Sequence, residues 1–337
     1  MAASGINRWM ATRSTRSLRR LAVAGAAILL GAGPAHAEDV ALTFDDVPLF
    51  GRWTSTADAA RTTSLLLAGL VRHHFPATGF VNEIQLDASD RKARTALLSQ
   101  WIAAGMDLGN HSYSHLSLTG TPVQAYIADV AKGETVTRAL LVQKGRTPRW
   151  YRHPYLETGP TREIRDRFEA WLASHGYRTA PVTMENSDWM FAPAYDDAIT
   201  RGDAKEARRI QQAYLNFTAQ IVPWYRQAAL DILGRRPAFV FLLHASRLNA
   251  ASIDGLAAIL KAQDLHAVSL DRAMADPAYR IADGYTGPEG EGWLERWSRT
   301  LHKDMPWGTL PKAPADIAAA SARVAATPLK PPGPGRR

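Results

Sequence analysis

The stretch ALTFDDVP (41–48) sets two carboxylates, Asp45 and Asp46, side by side at the end of an apolar run. Side chains alternate along a strand, so the two cannot both follow the pattern that buries Leu42 and Phe44. Neighbouring acids can divide their work, one ligating a cation and the other moving a proton. Taken alone, the pair reads as a solvated turn, where Asp is common. Farther on, GNHSYSH carries His111 and His115 four residues apart. On a helical turn that spacing puts both imidazoles on one face, a usual arrangement for two nitrogens on one metal. Alone, it also describes an ordinary surface pair. With a carboxylate from another strand end, the set becomes a His-His-Asp site of the kind that leaves a position open for water. Asp46 is assigned to that third position, which frees Asp45 to act as a base. WYRHPY (150–155) supplies Arg152, a cation able to orient Asp45. By itself Arg152 is equally a surface salt-bridge partner. His244 closes the apolar run of LLHAS, and in isolation it reads as a core histidine.

These residues need elements to position them. Short apolar runs fall at VALTF (40–44), TGFVN (78–82), MDLGN (106–110), RWYRH (149–153), RTAPVTM (178–184), AFVFLLH (238–244) and HAVSL (266–270). Amphipathic stretches lie between them near 58–72, 91–104, 122–144, 161–174, 204–233 and 251–262. Such alternation predicts a parallel sheet, open or closed into a barrel. AFVFLLH is apolar on both faces, as a central parallel strand should be. Reactive groups of such folds gather where strands end in loops on the C-terminal face. The acid pair, the histidine pair, Arg152, ENSDW (185–189) and His244 all fall at such strand ends. No repeat or linker interrupts 38–290, so one domain is expected.

Charge is distributed unevenly over the 337 residues. The net charge is +8, but residues 1–37 contribute +5 and the Ala- and Pro-rich stretch 311–337 contributes +4. The body is left near −1, which removes the basic face that nucleic-acid binding requires. Residues 1–37 combine five arginines, the apolar run LAVAGAAILL and a closing Ala35-His36-Ala37. This is the pattern of a secretory signal peptide, by the general or the twin-arginine route, and it predicts a protein exported to the periplasm or beyond. No later segment is apolar for long enough to cross a membrane. Residues 311–337 are expected as a disordered tail. Cysteine is absent. A large core must therefore stabilise the exported chain, and any metal site must use His, Asp and Glu.

In order, TFDD (43–46), HSYSH (111–115), RHPY (152–155), SDW (187–189) and LLH (242–244) resemble the five motifs of the polysaccharide deacetylases with the NodB homology domain, carbohydrate esterase family four. The resemblance covers roughly residues 38–275, within a catalytic domain expected over 38–300. It implies a distorted (β/α) barrel with seven or eight parallel strands. It also implies a divalent metal, usually zinc, though cobalt, nickel or iron suit the same donors. By the same resemblance Asp45 is the base, Asp46, His111 and His115 are the ligands, His244 is the general acid, and Arg152 orients the base. Pro154 and Tyr155 would shape the groove, with the Tyr155 N–H as oxyanion donor. Asp188 would orient or tune a catalytic group, and Trp189 would line the pocket. The implied activity is hydrolysis of N-acetyl or O-acetyl groups from an acetylated glycan such as peptidoglycan, chitin oligomers or xylan.

Two segments depart from a minimal domain of this kind. A long helical insertion near 196–234 includes Trp224 and Tyr225, and the block 283–297 includes Trp293 and Trp297. All four are expected mainly to pack, with sugar stacking as the alternative. Asn82 and Glu83 stand near the second strand end, within reach of a substrate or in a plain surface loop. Two other functions fit the same residues less fully. One is a hydrolase of a linear amide or ureide on this fold. The other is a non-catalytic secreted glycan-binding protein, which would have no need of a base and an acid.

Overall fold

The computed structural model describes residues 38–326, apart from 52–54 and 88–89. The expected leader (1–37) and the end of the expected tail (327–337) lie outside the described residues. The first half of the domain runs β1 (Glu38–Val47), α1 (Thr56–Arg72), β2 (Ala77–Val81), α2 (Arg91–Ala103), β3 (Asp107–Asn110), α3 (Val123–Lys132), α4 (Thr135–Val142), β4 (Trp150–Tyr151) and α5 (Arg162–Ser174). The second half runs β5 (Arg178–Thr179), β6 (Met184–Glu185), α6 (Asp188–Thr200), α7 (Ala204–Leu233), β7 (Phe239–His244), α8 (Arg247–Ala262), β8 (Leu265–Ala267), α9 (Leu270–Ala273), α10 (Trp293–Thr300) and α11 (Ala315–Ala326).

Every strand pairing is parallel, in the order β5-β4-β3-β2-β1-β7-β6, with β8 beside the start of β1. The two edge strands, β5 and β6, are consecutive in the chain. Pro181 lies between them and divides the single strand expected over 178–184, since a proline cannot donate to a ladder. The short link still joins the two ends of the sheet. Ala180 N donates to Tyr151 O on one side (2.7 Å), and Thr183 N donates to Val240 O on the other (3.0 Å). The sheet thereby curls into the distorted barrel that the motifs imply. β7 has Phe239, Val240, Phe241 and Leu243 buried on both faces, as its unbroken apolar run demands.

Some elements differ from expectation. The helix expected over 122–144 breaks at Gly133 into α3 and α4. Of SDW, Ser187 stands at the N-cap of α6, and Asp188 and Trp189 already form its first turn. Part of the expected disordered tail is the helix α11, docked on α6 with Ile317 fully buried. Alanine is the best helix former, and small side chains let one anchored isoleucine seat the whole helix. Composition alone gives the mobile reading because it does not register that docking. Among the described residues, no helix is long and apolar enough to cross a membrane.

Candidate metal centre and catalytic site

At the end of β1 the backbone solves the problem posed by the two acids. Asp46 takes a left-handed conformation (φ 61°), and pairing with β2 shifts register between Phe44 and Val47. Alternation breaks there, and both carboxylates meet one imidazole. His111 Nε2 stands 3.7 Å from Asp45 Oδ2 and 3.7 Å from Asp46 Oδ1. His115 Nε2 is also 3.7 Å from Asp46 Oδ1. Ligand atoms of Asp46, His111 and His115 all lie within 4.8 Å of one another.

The donor set fits a divalent metal. His111 Nδ1 lies 2.8 Å from Arg152 O, and a carbonyl can only accept, so Nδ1 carries the proton and Nε2 offers its lone pair. Burial, with help from nearby His115, holds the His111 imidazole well below its usual pKa, hence neutral and able to ligate. The 3.7 Å separations are too long for direct hydrogen bonds and leave three donors facing a common point. Two imidazoles and one carboxylate suit zinc or a similar ion.

The histidine pair is not built on a helical turn, contrary to expectation. Residues 111–115 form a loop with Ser112 (φ 66°) and His115 (φ 57°) in the left-handed region, and the rings meet edge to face at 4.8 Å. Hydrogen bonds hold this strained loop. Asn110 Oδ1 accepts from Ser112 N (2.7 Å), and Ser112 Oγ accepts from His115 N (2.9 Å). Asp129 on α3 accepts from the backbone N–H groups of Tyr113 and Ser114 (3.1 Å each). Gly133 packs directly beneath, where an added Cβ would sit 2.4 Å from Ser112 C and Tyr113 N. Gly133→Ala should therefore cost about 1–3 kcal/mol by overpacking and weaken zinc binding. Urea unfolding and zinc titration check this; no change in either would remove the loop from the account.

Asp45 is 3% exposed, and its Oδ1 has no hydrogen-bond partner in the protein. Burial raises its pKa to about 6, while Arg152 and His244 pull the other way. Arg152, fully buried, follows β4 and places Nη1 3.5 Å from Asp45 Oδ2. Its Nη2 donates to Thr43 Oγ1 (3.0 Å) and its guanidinium lies over the Phe80 ring (4.8 Å). The cation is thus fixed from three sides, as a group that orients a carboxylate must be.

His244 ends β7 in register with Asp45 of β1. Asp188, the first residue of α6, grips it twice. Oδ1 pairs with His244 Nδ1 and Oδ2 accepts from His244 N, both at 2.7 Å. Burial disfavours the imidazolium, but Asp188, together with the nearby Asp46 and Asp45, more than offsets it and the pKa rises to about 9. Asn249 supports this pair, an arrangement the motifs do not reveal. Ser246 caps α8, so Asn249 lies one turn below His244, donating to His244 O (2.8 Å) and to Asp188 Oδ2. Tyr214, on the long insertion helix α7, donates to Asn249 Oδ1 at 2.6 Å. The insertion thereby buttresses His244 through a chain of hydrogen bonds. Phe50 packs on the same imidazole, with ring centres 4.5 Å apart.

The remaining motif residues divide between cavity and scaffold. Tyr155 (φ 55°) is 59% exposed and meets His115 edge to face at 4.5 Å, and Trp189 is 48% exposed. Both line a cavity of about 900 Å³ together with Asp45, Asp46, His111, His115 and His244. Pro154 is buried and does not line it. Asn82 and Glu83 are scaffold: Asn82 Nδ2 donates to His111 O (2.5 Å), and Glu83 accepts from Val136 N (3.0 Å) and Thr137 N (2.7 Å) at the start of α4. Trp297 is buried. Trp224 stacks on Trp307, and Tyr225 and the half-exposed Trp307 both line the cavity.

Residues 32–180 match the sequence profile of the polysaccharide deacetylase family. A curated relative, the peptidoglycan-N-acetylglucosamine deacetylase of Bacillus cereus, is 26% identical over 168 residues, which is 50% of this chain and 52% of the relative. The chain thus spans about half the length of that relative. Among solved structures, the family 4 carbohydrate esterase from Streptomyces lividans in complex with acetate is 20% identical, with a TM-score of 0.46 over 71% of this chain and 97% of the other. The peptidoglycan deacetylase PdaC from Bacillus subtilis is 20% identical, with a TM-score of 0.44 over 71% and 91% of the two chains.

Proposed function

We propose that this chain is an exported, metal-dependent hydrolase that removes acetyl groups from an acetylated glycan. The observation that carries this reading is the shared cavity. It joins a three-donor metal centre to a buried carboxylate, Asp45, whose Oδ1 has no hydrogen-bond partner, and to a histidine held protonated by Asp188. A binding protein has no use for that last pair.

Asp46, His111 and His115 would hold the metal, which when bound supplies Lewis acidity to the acetyl carbonyl. Asp45, kept in place by Arg152, takes a proton from water as the water oxygen bonds to the carbonyl carbon. The Tyr155 backbone N–H donates to the oxygen that gains charge. His244 then gives its proton to the departing nitrogen or sugar oxygen, the bond to carbon breaks, and acetate leaves. Tyr155, Trp189 and Trp307 offer exposed aromatic faces at the rim for a sugar ring.

His244 must be protonated to act as the acid, so turnover should fall as pH rises through about 9. In Asp188→Asn the main partner that raises the imidazole pKa is gone, and only Asp46 and Asp45 still oppose burial. The falling limb should then move down by roughly 1–3 pH units. A pH profile of kcat/KM checks this, and an unmoved limb would take Asp188 out of its positioning role. The substrate class is tested by acetate release from peptidoglycan, chitin oligomers and acetylated xylan, beside small linear amides. Release from amides alone would reject the glycan reading.

A further inference from the structure

The cavity at the metal centre is much larger than an acetyl group requires, and most of its added wall is aliphatic. Beyond Leu242 and His244 it takes in Met184 from β6, Phe217 and Ile221 from α7, Leu294 from α10, and Met305 and Leu310 from the segment leading to α11. Five of these walls come from the insertion and the C-terminal elements, which lie outside the segment that matches the family. These aliphatic walls, unlike the aromatic faces of Tyr155, Trp189 and Trp307 at the rim, are unsuited to a pyranose. A sugar ring carries hydroxyls around its edge, and hydroxyls left without partners against hydrocarbon are costly. The acidic groups facing this space are already engaged. Glu185 accepts from Ser187 N (2.9 Å) and pairs with the Tyr225 hydroxyl, while Glu295 lies 3.6 Å from Arg299. Lys312 is exposed. Three methionines among the walls, Met184, Met190 and Met305, give a surface that adapts to a flexible chain.

We infer that this part of the cavity is an acyl-chain pocket, and that the site removes linear acyl groups of about four to eight carbons more efficiently than acetyl. The inference rests on the reading of the centre as an acyl hydrolase, because the chain enters joined to the carbonyl that Asp45 and His244 serve.

The test uses the full chain loaded with zinc and p-nitrophenyl acetate, butyrate, hexanoate and octanoate. Each methylene that enters the pocket should raise kcat/KM roughly threefold to fourfold, until the pocket is full. Met305→Trp should fill part of the space and cut the octanoate-to-acetate ratio at least roughly tenfold, a ratio that is insensitive to the folded fraction. Calorimetric titration of octanoate into chelator-treated protein gives a readout without turnover. Octanoate should bind, and at least roughly tenfold tighter than acetate. Hydrolysis of acetate alone with no octanoate binding overturns the acyl pocket and leaves the deacetylase reading standing. A long-chain preference that Met305→Trp leaves unchanged also overturns it, because the chain then lies elsewhere. Failure to hydrolyse any ester or acetylated glycan rejects the underlying reading instead.

Discussion

Asp45→Asn should lower acetate release by about 10²–10⁴-fold while the protein still folds and still binds one zinc per chain. The substitution keeps the shape of the side chain and removes only its capacity to take a proton. Asp46, His111 and His115 remain, so zinc titration should be unaltered. The split between retained metal and lost turnover separates a base from a ligand. If the Asp45→Asn variant lost zinc, Asp45 would belong to the metal set. If it kept full turnover, the base would be another group.

The second large effect is on stability. Arg152 is fully buried, and Asp45 is the carboxylate beside it. Arg152→Met leaves Asp45 buried without its cation and should destabilise the fold by about 3–5 kcal/mol, measured by urea unfolding. The double variant Asp45→Asn, Arg152→Met removes both charges and should recover most of that loss. Recovery is the informative outcome, because simple loss of Arg152 packing against Phe80 would not be repaired by changing Asp45. Turnover should be lost in both.

The candidate site residues were legible in the sequence because chemistry restricts their types. A pair of acids, a pair of histidines, an arginine and a lone histidine at strand ends carry meaning together that none carries alone. Their support was not legible. Asp129, Asn249 and Tyr214 are ordinary residues on helices, and only the fold brings them beneath His111, His115 and His244. Spacing also misled for His111 and His115. Left-handed residues at Ser112 and His115 let a loop do what a helical turn would have done. The parallel sheet was legible from seven apolar runs, but they left open whether it curls into a barrel, since that depends on the few residues around Pro181 whose hydrogen bonds reach opposite edges of the sheet. The wall built by α7, α10 and the segment before α11 was hidden for a different reason. Amphipathic helices announce that they bury a face, not which cavity they border.

The central claim is that turnover depends on a metal held by Asp46, His111 and His115. Its most direct test is acetate release from an acetylated glycan by chelator-treated protein, followed by stepwise return of zinc. Release should be absent after chelation and should recover in proportion to zinc up to one ion per chain, with no recovery in a His111→Ala variant. Full turnover by metal-free protein would contradict the account.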